Sequence, residues 1–140
     1  MARIRDTLKG IKILDKLEPF FKDTGEFRFR SHVSSDNAGG LSEETTFPEE
    51  GHYSLSDKPG WNCVTLNKVL FDGDVEDHLV VELFGEEIDT LSANDELDRY
   101  SREFSGPVDD WVGLFEPADE GSTDPEAMSN WRISYIIEKV

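Results

Sequence analysis

An all-β fold is what this sequence predicts: one antiparallel β-sandwich of about eight strands with little helix, filling residues 1–140 as a single domain. Three observations predict it. Apolar and polar side chains alternate at period two in GEFRFRSHVSS (25–35) and NWRISYIIEKV (130–140), as in strands with one buried face. Clusters of Gly, Pro, Asn and Asp break the apolar runs repeatedly. Sustained helical periodicity is almost absent.

Taking the chain in order, RIRDTLKGIKIL (3–14) puts Ile4 and Leu8 on one face and Ile11 and Ile13 on the other. A register break near Gly10 reconciles them into one bent strand, because glycine inside a strand often marks a bulge. DKLEPFFKDTG (15–25) is a loop with Pro19 and a Gly25 stop. Its Phe20 and Phe21 either plug the sandwich end or form an exposed apolar tip. In the next strand Phe27, Phe29, Ser31 and Val33 share one face, and Arg28, Arg30 and His32 the other. On so acidic a chain the two arginines are expected to meet carboxylates across the sheet, with anion binding as the alternative. DNAGG turns the chain into LSEETTF (41–47), a short edge-like strand stopped by Pro48.

EEGHYSLSDKPG (49–60) is a polar connection leading to WNCVTLNKVLF (61–71). There Trp61, Cys63, Val69 and Phe71 share one parity and Val64, Leu66 and Leu70 the other, which suggests cover on both faces. The DGD at 72–74 and Glu76 read as a turn into a hairpin with the strand beginning at Leu79. Asp72, Asp74 and Asp77 are expected to do no more than make that turn.

Residues 79–97, LVVELFGEEIDTLSANDEL, carry the densest chemistry. Leu79, Val81 and Leu83 occupy one face of an interior strand and Val80 and Phe84 the other. Then Glu87, Asp89 and Asp95 follow as E-x-D-x5-D among small polar residues that favour a loop. Short strands are expected around Tyr100, Phe104, Val108, Trp111 and Phe115. EPADEGSTDPEAMSN (116–130) reads as an acidic loop with one helical turn beginning near Pro125. The last strand aligns Trp131, Ile133, Tyr135 and Ile137.

The formal net charge is -17, from 31 acidic against 14 basic side chains. A phosphate backbone needs clustered Lys and Arg, so nucleic acid is excluded as a partner, and anionic membranes are disfavoured at long range. Charge this dense repels itself in dilute salt, which a high-salt, halophilic source would explain. No apolar run approaches the roughly 20 residues of a membrane span. MARIRDTLKG has no apolar h-region, so a cytoplasmic location is expected. Cys63 is the single cysteine, which precludes an internal disulfide. A buried, inert thiol is its expected state.

This order of elements resembles the C2 domain family. Pro59, Gly60, Trp61 and Asn62 stand where that family often opens its fourth strand with Trp-Asn, and LVVELFGEEIDTLSAND resembles the strand that delivers its D-x-D-x5-D metal loop. Glu87 replaces the first Asp of that motif. The resemblance implies an eight-stranded sandwich binding calcium through end loops, with Asp15, Asp23, Glu87, Asp89 and Asp95 as ligands; Glu26 is an alternative to Asp23. The first loop departs from the family, reading Asp23-Thr24-Gly25-Glu26-Phe27 in place of Ser-Asp-Pro-Tyr. Calcium takes about six to eight oxygens, so such carboxylates suit it, while 31 acidic residues also make a chance match to this spacing easy.

Three functions compete. A noncatalytic C2-like binding module would engage a protein partner, or a membrane only when calcium neutralises its loops, with Phe20, Phe21 and Leu91 entering the bilayer. A structural protein would self-assemble through faces or edges. A carboxylate-based hydrolase is the weakest reading, because His32, His52 and His78 are scattered and no Ser-His-Asp or Cys-His signature is present. Tyr53, Trp61, Tyr100, Trp111 and Trp131 could serve a carbohydrate surface but are expected in the core.

Overall fold

The computed structural model describes residues 2–13, 25–35, 42–48, 50–55, 62–88, 95–97, 99–115 and 131–140. Ten strands are described: β1 (Ala2–Ile13), β2 (Gly25–Ser34), β3 (Ser42–Phe47), β4 (Tyr53–Leu55), β5 (Cys63–Val75), β6 (His78–Glu87), β7 (Asp95–Glu96), β8 (Tyr100–Ser105), β9 (Gly113–Phe115) and β10 (Trp131–Lys139). The described helix is a single 3-10 turn, Val108–Asp110. The strands form two antiparallel sheets. Sheet one has the order β5-β1-β10-β9, and sheet two the order β3-β2-β6-β7, with β4 also on β2 and β8 also on β6. The short strands β4 and β7, in stretches the sequence reads as connection and loop, extend two positions of sheet two.

The bend at Gly10 is present. The β1–β10 register shifts between Leu8 and Gly10, so Ile4 and Leu8 before the bulge and Ile11 and Ile13 after it all face the core. A second shift lies between Asp6 and Thr7, which pair with Phe71 and Val69 and leave Leu70 between them. That bulge inverts the parity of β5. Leu70 and Phe71 are both buried, while Val69 is 43% exposed. The first half of β5 thus has one solvent face, and Cys63 is an exposed thiol on it rather than the buried one expected from an apolar run.

The expected hairpin between β5 and β6 does not form. The two strands belong to different sheets: β5 pairs with β1, and β6 with β2, β7 and β8. The glycine read as a turn residue, Gly73, lies within β5, buried and opposite Ile4. The actual connection, Glu76 and Asp77, has no glycine or asparagine for a type I′ or II′ turn and carries the chain across the sandwich. Gly106 N–H donates to Asp77 C=O at 3.0 Å, which ties this corner to the end of β8.

Inward side chains of the sheets meet in one core. Phe29 of β2 stacks on Trp131 of β10 at 5.4 Å and 14°, joining the sheets, and on Phe27 and Phe47 at 6.4 and 5.7 Å within sheet two. Trp111 and Tyr100 are buried as well, as their core reading requires. Gly85 sits under Phe29, where a Cβ would come within 2.9 Å of the ring and 2.6 Å of Leu97 Cδ1. No described helix is long and apolar enough to cross a membrane.

Candidate ligand-binding face

The strand preceding the acidic stretch carries Leu79, Val81, Leu83, Gly85 and Glu87 on one parity, all buried. Glu87 therefore ends β6 with its side chain turned inward, 1% exposed, rather than projecting from a loop. Its backbone lies between Phe27 of β2 and Asp95 of β7. Pairing thus brings two of the expected carboxylate residues, Glu87 and Asp95, side by side where β6 opens into its following loop. Asp15, Asp23 and Asp89 lie outside the described residues, as do Phe20, Phe21, Leu91 and Trp61. Glu26, the alternative to Asp23, is exposed, with an oxygen 3.7 Å from His52 Nε2. Among the described residues no group of three or more His, Cys, Asp or Glu is arranged to hold a metal ion. Glu87 and Asp95 alone fall short of the roughly six to eight oxygens calcium requires.

At the end of β5, Asp72 does more than turn the chain. It accepts from Arg3 Nε at 2.8 Å and from Arg5 Nε and Nη2 at 3.1 Å. These hydrogen bonds hold its carboxyl below the ordinary carboxylate range.

The outer face of sheet two is the more organised surface. Alternation along β2 puts Arg28, Arg30 and His32 outward, and antiparallel register sets them opposite Glu86, Phe84 and Glu82 of β6. Arg28 Nη2 lies 3.3 Å from Glu86 Oε1, and Arg30 Nε lies 3.6 Å from Glu44 Oε1 on β3, so both arginines meet carboxylates across the sheet as their sequence context implies. Arg99, just before β8, pairs with Glu82. The guanidinium carbons of Arg30 and Arg99 sit 4.7 and 5.2 Å from the centroid of the Phe84 ring. One aromatic platform is thus flanked by two cations, an arrangement worth about 0.5–1 kcal/mol per contact at exposed sites. A concavity of about 710 Å³ adjoins it, lined by Arg28, Arg30, Phe84, Glu86, Glu96 and Arg99.

Phe84 and Arg99 escape a sequence reading for different reasons. Phe84 falls on the second parity of an apolar strand, and parity alone does not separate a covered face from an aromatic platform. Arg99 precedes a short strand, and nothing local announces that it reaches β6.

No family model matches the sequence, and no curated protein matches it. Among solved structures the chain is similar to the C2A domain of plant extended synaptotagmin 1, with a TM-score of 0.50 and 10% sequence identity over 99% of this chain and 95% of that one. At this identity the similarity establishes the architecture, a C2-like β-sandwich.

Proposed function

We propose that this C2-like sandwich is a noncatalytic binding module and that its ligand is a protein partner seated on the outer face of sheet two. The observation that carries the proposal is Phe84 held between Arg30 and Arg99 beside an open concavity. Aromatic and arginine side chains supply most of the affinity at protein interfaces. The ion pairs of Arg28 with Glu86 and Arg30 with Glu44 are about half-exposed and worth little to stability, so exchanging Glu44 or Glu86 for a partner's carboxylate costs little. A net charge of -17 favours such a partner over an anionic membrane.

The test is affinity capture from the source cell's extract with the wild type and with Phe84→Ala and Arg30→Glu, followed by identification and titration of the purified partner. A partner bound by the wild type and weakened at least tenfold by both substitutions supports the proposal. A partner held equally by all forms refutes the assignment to this face. Liposome co-sedimentation with and without calcium runs beside it, and calcium-dependent pelleting would favour a lipid ligand instead.

A calcium-dependent form of the module is a second reading, favoured by the Glu87–Asp95 pairing at the mouth of the acidic loop. Calorimetric titration with calcium decides it, because a ligand at 100 times its Kd adds about 2.7 kcal/mol of stability. Heat and a raised melting temperature, both lost in Asp89→Asn, support calcium; neither signal beyond matched salt removes it.

A further inference from the structure

The two outer faces of this sandwich carry opposite charge. β1, the strand between β5 and β10, turns Arg3, Arg5, Lys9 and Lys12 outward from sheet one, while Ile4, Leu8, Ile11 and Ile13 point into the core. Asp74 and Asp72 of β5 lie opposite Arg3 and Arg5, and Glu138 and Arg132 of β10 lie opposite Arg5 and Lys12. Among the described residues this face thus holds five basic side chains against three carboxylates, on a chain with 31 acidic and 14 basic residues. The outer face of sheet two keeps the sign of the chain. There Glu26, Glu44, Glu82, Glu86, Glu96 and Glu103 outnumber Arg28, Arg30 and Arg99.

Each face also has an apolar centre. The large apolar side chains exposed among the described residues are Val69, Val112, Leu114 and Val140, each in sheet one or next to one of its strands. Thr7 pairs with Val69 and with Ile136, and Ile136 pairs with Leu114. Cross-strand partners point to the same side of a sheet, and Ile136 lies between the inward Tyr135 and Ile137. The row Val69-Thr7-Ile136-Leu114 therefore crosses all four strands on the outer face, with Val69 and Leu114 43% and 59% exposed. Along β1 this row is flanked by Arg5 and Lys9, each two residues from Thr7. Along β6 the exposed centre of sheet two, Phe84, is flanked by Glu82 and Glu86, each two residues away. Two residues of strand span about 6–7 Å, so the cations of one face and the carboxylates of the other share one spacing about an apolar centre.

We propose that this chain associates with itself head to tail, the outer face of sheet one of one copy seating on the outer face of sheet two of the next. The inference rests on the partner surface proposed above and names its occupant, a second copy of this chain. In the contact Arg5 and Lys9 meet Glu82 and Glu86 of the neighbour, and the Val69-Thr7-Ile136-Leu114 row covers its Phe84. The match lies in the sum over each face, because the potential of a whole patch steers and orients association. Acidic charge remote from the contact is screened over about 8 Å at physiological salt. Four strands about 4.8 Å apart and about 30 Å long bring about 1,100 Å² of total surface together, the size of a weak, reversible interface. The two faces lie on opposite sides of one sandwich, so the heterologous contact repeats as an open stack instead of closing at a dimer.

Analytical ultracentrifugation of the full chain at physiological salt, from micromolar to millimolar concentration, tests this. The mass of the wild type is expected to rise with concentration past that of a dimer. Reversing charge on sheet one with Lys9→Glu and Lys12→Glu together, or removing the sheet-two centre with Phe84→Ala, should weaken self-association at least tenfold. Mixed in equal amounts, these two variants each supply the face the other lacks, so they should form a one-to-one pair and stop there. Melting curves accompany each variant; if Phe84→Ala fails to fold, Glu86→Lys takes its place. A wild type that stays monomeric throughout, a mass that halts at the dimer, association untouched by Phe84→Ala, or a mixture that stays monomeric overturns the proposal. A monomeric wild type whose captured partner is still weakened by Phe84→Ala would overturn self-association and leave the sheet-two partner surface standing.

Discussion

The phenol oxygens of Tyr100 and Tyr135 lie 2.6 Å apart in the core, a hydrogen bond that joins β8 of sheet two to β10 of sheet one. Burial, then the neighbouring Tyr100, then Asp6 push the Tyr135 phenol well above its ordinary range, so Tyr135 stays protonated. Tyr135→Phe removes this contact and is expected to cost about 1–3 kcal/mol, the penalty of stranding a buried polar group. Replacing both tyrosines should cost less than the sum of the single changes. Urea unfolding of the two single variants and the double variant measures this coupling, and strict additivity would contradict it.

Asp6 is the core's titratable anomaly. It is fully buried on the central part of sheet one, both its carboxylate oxygens lack a hydrogen-bond partner among the described residues, and burial pushes its pKa up to about 8. The unfolded chain releases this proton near the ordinary value of about 3.9. Between those values the folded state holds the extra proton, so stability falls as pH rises from about 4 to about 8, by at most about 1.4 kcal/mol per unit, and levels off above. Asp72, held low by Arg3 and Arg5, acts in the opposite sense, its contribution being lost only as pH falls through its depressed value. Melting curves across this window should show the decline in the wild type and a flatter profile in Asp6→Asn. Equal slopes would contradict the assignment.

Gly85 marks the tightest point between Phe29 and Leu97. Gly85→Ala would press a methyl to within 2.6 Å of Leu97 Cδ1 and 2.9 Å of the Phe29 ring. Overpacking of this kind costs about 1–3 kcal/mol. A lowered urea midpoint with an unchanged m-value is expected, since the denatured state is untouched.

The net charge of -17 makes folding depend on screening. At low ionic strength the acidic side chains repel one another over tens of ångströms, and salt at about 1 M shortens that range to about 3 Å. The melting temperature is expected to rise from dilute buffer to multimolar KCl. A value indifferent to salt would remove the high-salt explanation of the composition.

Much of the fold was legible because strand side chains alternate and the core is one-sided. Phe27, Phe29 and Val33 in β2, and Trp131, Ile133, Tyr135 and Ile137 in β10, are buried as their parity requires. The bulge at Gly10 could be inferred because the apolar residues change parity there. The same logic fails in β5, where apolar residues occupy both parities and only the bulge at Leu70 shows which half faces solvent. The candidate site was half legible: Arg28 and Arg30 announce an outward cationic face, but their joint use with Phe84 and Arg99 depends on which strands are neighbours.

By itself the sequence determined the all-β class, the inward faces of the amphipathic strands and the acidic surface, because these follow from local periodicity and composition. Only the tertiary structure decided that β5 and β6 part into different sheets, that Glu87 turns inward beside Asp95, and that Phe84 of β6 lies opposite Arg30 of β2. Each of those facts is a strand pairing between residues separated along the chain. Pairing is selected by how all the inward faces fill one common core, a property that no single stretch of residues carries.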